Sequence, residues 1–97
     1  MLKLDEIKQI IDDHRSDIEE LYKVNRIGLF GSYVRGEQKD DSDLDVLVSF
    51  SEPVSLFWLV KVEIFLSEIL GIKVDLVPEK DIRIELKDGI LSEAVFI

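Results

Sequence analysis

Within the segment from Gly31 to Asp45, GSYVRGEQKDDSDLD, a Gly31-Ser32 turn and an Asp43-x-Asp45 pair can serve one site. A tight glycine turn presents backbone N–H groups to phosphate oxygens, and two carboxylates one residue apart on a strand point the same way and share divalent cations. Phosphate chemistry is the reading these residue types support. Ser32 can start a short helix and offer its hydroxyl to a phosphate oxygen, and Arg35, about one turn further on, brings a forked guanidinium to the same place. Gly36 suits the left-handed end of that helix, and Ser42 suits the turn that delivers Asp43. A third carboxylate, Asp75, lies between apolar Val74 and Leu76. If its strand neighbours that of Asp43 and Asp45, the three acids converge. Without a cation their repulsion raises at least one pKa, whereas two Mg²⁺ ions roughly 3.5 to 4 Å apart make all three favourable ligands.

The elements that must position these groups are legible from apolar spacing. Leu4, Ile7, Ile10, Ile11, His14, Ile18 and Leu21 recur at three- and four-residue intervals, which predicts one amphipathic helix over 4–22, with His14 as a packing residue on its apolar face. Residues 25–31 read as a strand running into the glycine turn, 43–50 as a second strand, and 72–77 as a third. Pro53 is placed near the start of a helix that runs to about Leu70 and stops at Gly71. At 100° per residue, Val54, Trp58, Leu59, Val62, Phe65, Leu66, Ile69 and Leu70 fill an arc of roughly 160°, enough to cover a sheet. Leu56, Phe57, Val60 and Ile64 form a second apolar stripe outside that arc, which the last helix or another protein must cover. That last helix is expected over 82–95. The first two strands, joined through the turn, are expected to pair antiparallel, and the third, reached through a long helix, to lie parallel to the second. Tyr33 reads equally as a packing residue and as a contact to bound nucleotide.

The chain has 97 residues, 12 Lys+Arg against 21 Asp+Glu and a formal charge of -9. This length suits one domain spanning 1–97, with no room for separate nucleotide and acceptor domains. The acidic balance, with Glu37, Asp40, Asp41, Asp43 and Asp45 all in the motif region, argues against a polynucleotide track, which needs a basic patch. Protein or small-molecule acceptors are therefore favoured. No cysteine is present, which fits a reducing cytoplasm, and the acidic start does not read as a signal peptide. The longest apolar run, Val54 to Val60, falls short of the roughly 20 residues of a membrane span.

Gly31-Ser32, ten intervening residues and Asp43-Leu44-Asp45 resemble the signature of the nucleotidyltransferase superfamily. The fuller form, with Arg35-Gly36 and Ser42 before the aspartates, resembles its minimal nucleotidyltransferase (MNT) branch. Lys73 to Val77 is similar to the family's third-carboxylate strand and Ile90 to Val95 to its closing segment, while Val34 stands where a smaller residue is common. The resemblance implies a polymerase-beta-like α/β fold, a small mixed sheet of three to four strands flanked by helices. It also implies transfer of AMP from ATP by a two-Mg²⁺ mechanism. Asp43, Asp45 and Asp75 would be the catalytic metal ligands, and Gly31, Ser32, Arg35 and Ser42 would hold the nucleotide. Asp75 is equally placed to take the acceptor's proton. Proteins of this branch pair with HEPN-domain toxins, so the resemblance implies an antitoxin that modifies a toxin tyrosine, in a hetero- or homo-oligomer. Two alternatives stand beside it: a non-catalytic antitoxin that blocks its toxin by binding, and a small-molecule nucleotidyltransferase of the aminoglycoside kind.

Overall fold

Strand register does most of the positioning in this protein. The computed structural model describes residues 2–97. It contains a four-stranded sheet in the order β3-β2-β1-β4, built from β1 (Val24–Phe30), β2 (Leu44–Phe50), β3 (Val74–Pro78) and β4 (Val95–Phe96). β1 pairs antiparallel with β2 and β2 pairs parallel with β3, as the connections require. β4 adds antiparallel to the free edge of β1, with Gly28 opposite Phe96 and Leu29 opposite Val95.

Side chains alternate along each strand, so register separates two faces. Ile27, Leu29, Leu44, Val46, Val48 and Val74 join one buried core with Ile7 and Ile11 of α1 (Leu4–Asp13), Ile18 of α2 (Arg15–Glu20), and Val62, Leu66 and Leu70 of α4 (Leu56–Leu70). The alternate positions on β2 and β3 are Asp45, Leu47 and Asp75. Thus the alternation that sends Leu44 and Val46 into the core places the acids on the other face.

The first helix is interrupted where the apolar spacing shows no sign of it. α1 ends at His14, whose φ of -108° and ψ of 15° leave the helical region before α2 begins. The imidazole Nδ1 lies 2.9 Å from the Ile10 carbonyl oxygen, a bond within reach of the site a continuing helix would use for its own N–H. His14 still packs, its ring edge-on to Phe65 with centroids 6.1 Å apart. Pro53 lies ahead of α4 rather than in its first turn. The cap is Ser55, which accepts a hydrogen bond from the Trp58 N–H at 3.2 Å. Gly71 closes α4 in a left-handed conformation, as expected.

The final segment differs most from the sequence reading. A 3₁₀ turn (Glu79–Asp81) precedes α5 (Ile84–Glu93), and the chain then leaves the helix to form β4 instead of continuing as helix to 95. The cause is edge pairing. β1 has an open side, and Ile97 also donates its N–H to the Ile27 carbonyl at 2.9 Å. Phe96 lies over Gly28, where a Cβ would stand 2.8 Å from the ring, and the Arg26 guanidinium lies over the Phe96 ring, 3.7 Å from its centroid. α5 buries no residue and does not cover the second stripe of α4, so Phe57 remains 88% exposed.

The two sides of α4 should respond differently to truncation. Leu66 is 1% exposed, so Leu66→Ala should cost about 2 to 5 kcal/mol in urea unfolding. Phe57→Ala on the same helix should stay within about 0.5 kcal/mol of the parent.

Candidate active site

β1 ends where β2 begins, and this brings the glycine turn to the aspartates. Phe30 is the register partner of Asp45, so Gly31 follows directly beside the Asp45 side chain. Gly31 has φ 81° and ψ -155°, a region that side chains with a Cβ rarely enter, and a Cβ here would land on the Asp45 Oδ2 atom. Both the backbone angle and the close carboxylate demand glycine. The chain then forms α3 (Ser32–Arg35), closed by Gly36 in the left-handed conformation with φ 72°. Val34 and Arg35 both donate to the Gly31 carbonyl, at 3.1 and 3.2 Å. The first N–H groups of such a turn, on Ser32 and Tyr33, have no helical acceptor and stay available to an anion.

On the next strand, Asp45 pairs in register with Asp75 of β3. Parallel neighbours stand about 4.8 Å apart, so these two carboxylates emerge side by side. Asp43 precedes Leu44, whose amide donates to the Lys73 carbonyl at 2.9 Å, and Asp43 lies 3.8 Å from the Lys73 ammonium. The Asp45 carboxyl is held above the usual carboxylate range, first by burial and then by the charges of Asp75 and Asp43, with Arg35 acting the other way. Asp75 itself is exposed.

Among the described residues, no three His, Cys, Asp or Glu side chains close on a common point as a preformed metal cage. The expected meeting of Asp43, Asp45 and Asp75 in one cation-sized gap is therefore only begun. Asp45 and Asp75 stand together, and Asp43 leans to Lys73. Like charges kept apart have this arrangement. The donor set nevertheless fits a hard divalent ion, since it is all carboxylate oxygen and carries a charge excess that disfavours ionisation of Asp45.

The remaining motif residues have defined partners. Ser42 Oγ accepts from the Lys39 N–H at 2.8 Å and so closes the loop before Asp43. Tyr33 is buried in the core beneath α3, its hydroxyl 3.5 Å from the Ser42 carbonyl, and burial with the nearby Asp43 and Asp40 charges raises its pKa. It packs. Arg35 is bound by two glutamates: Nε to Glu37 at 3.1 Å and NH1 to Glu93 at 2.6 Å. Neither glutamate stood out in the sequence; Glu93 lies in the closing segment, but nothing in its spacing linked it to Arg35. A concavity of about 660 Å³ lies elsewhere, at the C-terminal ends of β2 and β3, bounded by Phe50, Pro53, Pro78, Lys80, Lys87 and Leu91.

The strained charge of Asp45 has a measurable sign. Its folded-state pKa lies above the unfolded value, so between the two the native state holds the extra proton and stability falls as pH rises. In EDTA at pH 7, Asp45→Asn should melt at a higher temperature than the parent. The gap should close as pH drops through the raised pKa toward 3.8, which a melting series across pH would record.

Comparison with known proteins agrees with this geometry. The nucleotidyltransferase domain family matches residues 11–97. The protein adenylyltransferase MntA of Thermococcus cleftensis is 42% identical over 97 residues, covering 100% of this chain and 98% of its own. A solved structure named as a candidate minimal nucleotidyltransferase superposes with a TM-score of 0.82 at 32% identity, covering 97% of this chain and 95% of that one. A chain in the solved complex of tri-AMPylated Shewanella oneidensis HEPN toxin with MNT antitoxin shares the fold, with a TM-score of 0.64 at 23% identity, over 93% of this chain and 66% of that one. With its glycine turn set against Asp45 and that aspartate beside Asp75, the chain belongs to the nucleotidyltransferase domain family, in the minimal branch, and is an enzyme of that kind.

Proposed function

We propose that this chain transfers AMP from ATP to a hydroxyl of a partner protein, that the partner is a HEPN-type toxin, and that a tyrosine is the acceptor. The observation that carries the reading is the register that sets Asp45 beside both Gly31 and Asp75. It is supported by the protein adenylyltransferase name of a relative matched over the whole chain and by the AMPylated toxin in a complex of the same fold.

In this reading Asp43, Asp45 and Asp75 hold Mg²⁺, two ions in all, and the metal supplies charge neutralisation and a lowered pKa at the acceptor hydroxyl. The chain's own residues do the rest. The Ser32 and Tyr33 N–H groups and the Ser32 hydroxyl bind the triphosphate, Gly31 lets the backbone come close, and Arg35 stabilises the departing pyrophosphate. Ser42 holds the loop that presents Asp43. Asp45, partly desolvated, gains the most when a cation offsets Asp75. The acceptor hydroxyl is supplied by the partner protein. Among the described residues no helix is long and apolar enough to cross a membrane. We infer a cytoplasmic setting from the cysteine-free sequence.

A blocking antitoxin without catalysis is the second reading, and the exposed stripe of Leu56, Phe57, Val60 and Ile64 favours a docking role for α4. One experiment separates the two. Incubated with labelled ATP, Mg²⁺ and the cognate toxin, the chain should label the toxin, with loss of label when the toxin's acceptor tyrosine becomes Phe. Asp43→Asn/Asp45→Asn should cut labelling at least about a hundredfold, since even outer-shell changes at metal sites cost 10- to 100-fold. Full neutralisation of the toxin by that double variant would favour blocking instead.

A further inference from the structure

Arg35 is the cation the proposed reaction needs at the triphosphate, yet it sits on a helix of only four residues and its side chain is 48% exposed. An arginine in that setting samples many rotamers unless something fixes it. Glu37, two residues on, cannot do this alone, because it is on the same short stretch of chain and would move with Arg35. Glu93 differs. It reaches Arg35 across 58 residues of sequence, it is the more shielded partner at 26% exposure, and it ends α5 immediately before β4.

That location ties Glu93 to the same strand that carries the glycine turn. Two residues beyond it, Val95 pairs with Leu29, and Ile97 donates its N–H to Ile27 and accepts from Arg15 at 3.1 Å. β1 therefore fixes both ends of the arrangement: Gly31 at its C-terminal end and, through β4, the Glu93 carboxylate. The pair also lies within electrostatic reach of the catalytic acids, since Arg35 lowers and Glu93 raises the pKa of Asp45. A carboxylate so near a polyanion site opposes nucleotide binding by its own charge. Its presence there is explained if it acts through the arginine.

We infer that Glu93 is a positioning residue for the nucleotide: it holds the Arg35 guanidinium by one edge so that the remaining N–H groups face the phosphates at the Gly31-Ser32 turn. The guanidinium has five N–H donors, and the two glutamates engage only its Nε and NH1 atoms, which leaves donors for a phosphate. Closure of the chain's C-terminal segment onto β1 thus completes the nucleotide site. This inference rests on the transfer reading proposed above.

A double-mutant cycle tests it on the full chain, with ATP affinity measured by titration calorimetry in the presence of Mg²⁺ and transfer measured on the toxin. Glu93→Ala should lower kcat/KM for ATP about tenfold and weaken ATP binding, while KM for the toxin stays within about twofold. Glu93→Gln, which keeps a neutral acceptor for Arg35, should recover part of the loss and serves also if the alanine variant folds poorly. In an Arg35→Ala background the Glu93→Ala effect should disappear, because two residues acting as a unit are not additive. An equal tenfold loss in that background would overturn the inference. So would a lower melting temperature with unchanged ATP parameters, or tighter ATP binding on removal of the acid. Failure of the parent chain to label the toxin while ATP still binds would count against the transfer reading alone, since the cycle remains measurable in binding.

Discussion

The crowding of negative charge around Asp45 is the constraint on which the site depends. Backbone pairing leaves this side chain little freedom: Phe30 opposite and Asp75 alongside set its place, and Gly31 must lack a Cβ to let its carboxylate pass. Burial and the charges of Asp75, Asp43 and Glu93 make its ionised form unfavourable, and Arg35 works against them. A fold organised for stability alone would not keep such a grouping. A binding site for divalent cation and triphosphate can use it, because the ligand brings the charge that relieves the repulsion.

The backbone accommodates this by alternation. Leu44, Val46 and Val48 of β2 face the helices and are buried in the core, and Asp45 between them lies on the opposite face. Leu44 lies between Asp43 and Asp45 and packs in the core, so moving the acids would require moving the core. A one-residue slip of β2 would bury Asp45 and expose Val46, so the register that packs the core is the one that sets Asp45 beside Asp75.

This coupling explains which features could be read from the chain before the structure. Strand directions and the parallel β2–β3 pair follow from periodicity and connection length, both of which are local signals, whereas the register that sets Asp75 beside Asp45 is visible only in the structure. The break at His14 was hidden because Ile7, Ile11 and Ile18 keep their helical spacing across it, while the bond from the imidazole to Ile10 is a matter of rotamer. β4 was hidden because Val95 and Phe96 are as apolar as the helix before them, and only the open edge of β1 decides their conformation. The pairing of Glu93 with Arg35 is a contact between distant segments, and such contacts leave no trace in spacing. The fate of the α4 stripe was half legible: its exposure needed the finding that α5 packs elsewhere and buries nothing.

The two faces of α4 separate a packed side from an exposed one. Val62, Leu66 and Leu70 are spent on the core, and Phe57, Val60 and Ile64 one sector away make no comparable contact. With a net charge of -9, the exposed stripe suits a protein whose own surface is less acidic. Docking on that stripe and chemistry at Asp45 draw on different elements: the stripe belongs to a helix held on the core face of the sheet, while the acids stand on the opposite face. On the proposed transfer reading, an acceptor docked on the stripe would reach the acids around an edge of the sheet. The stripe and the acids are therefore separable by mutation.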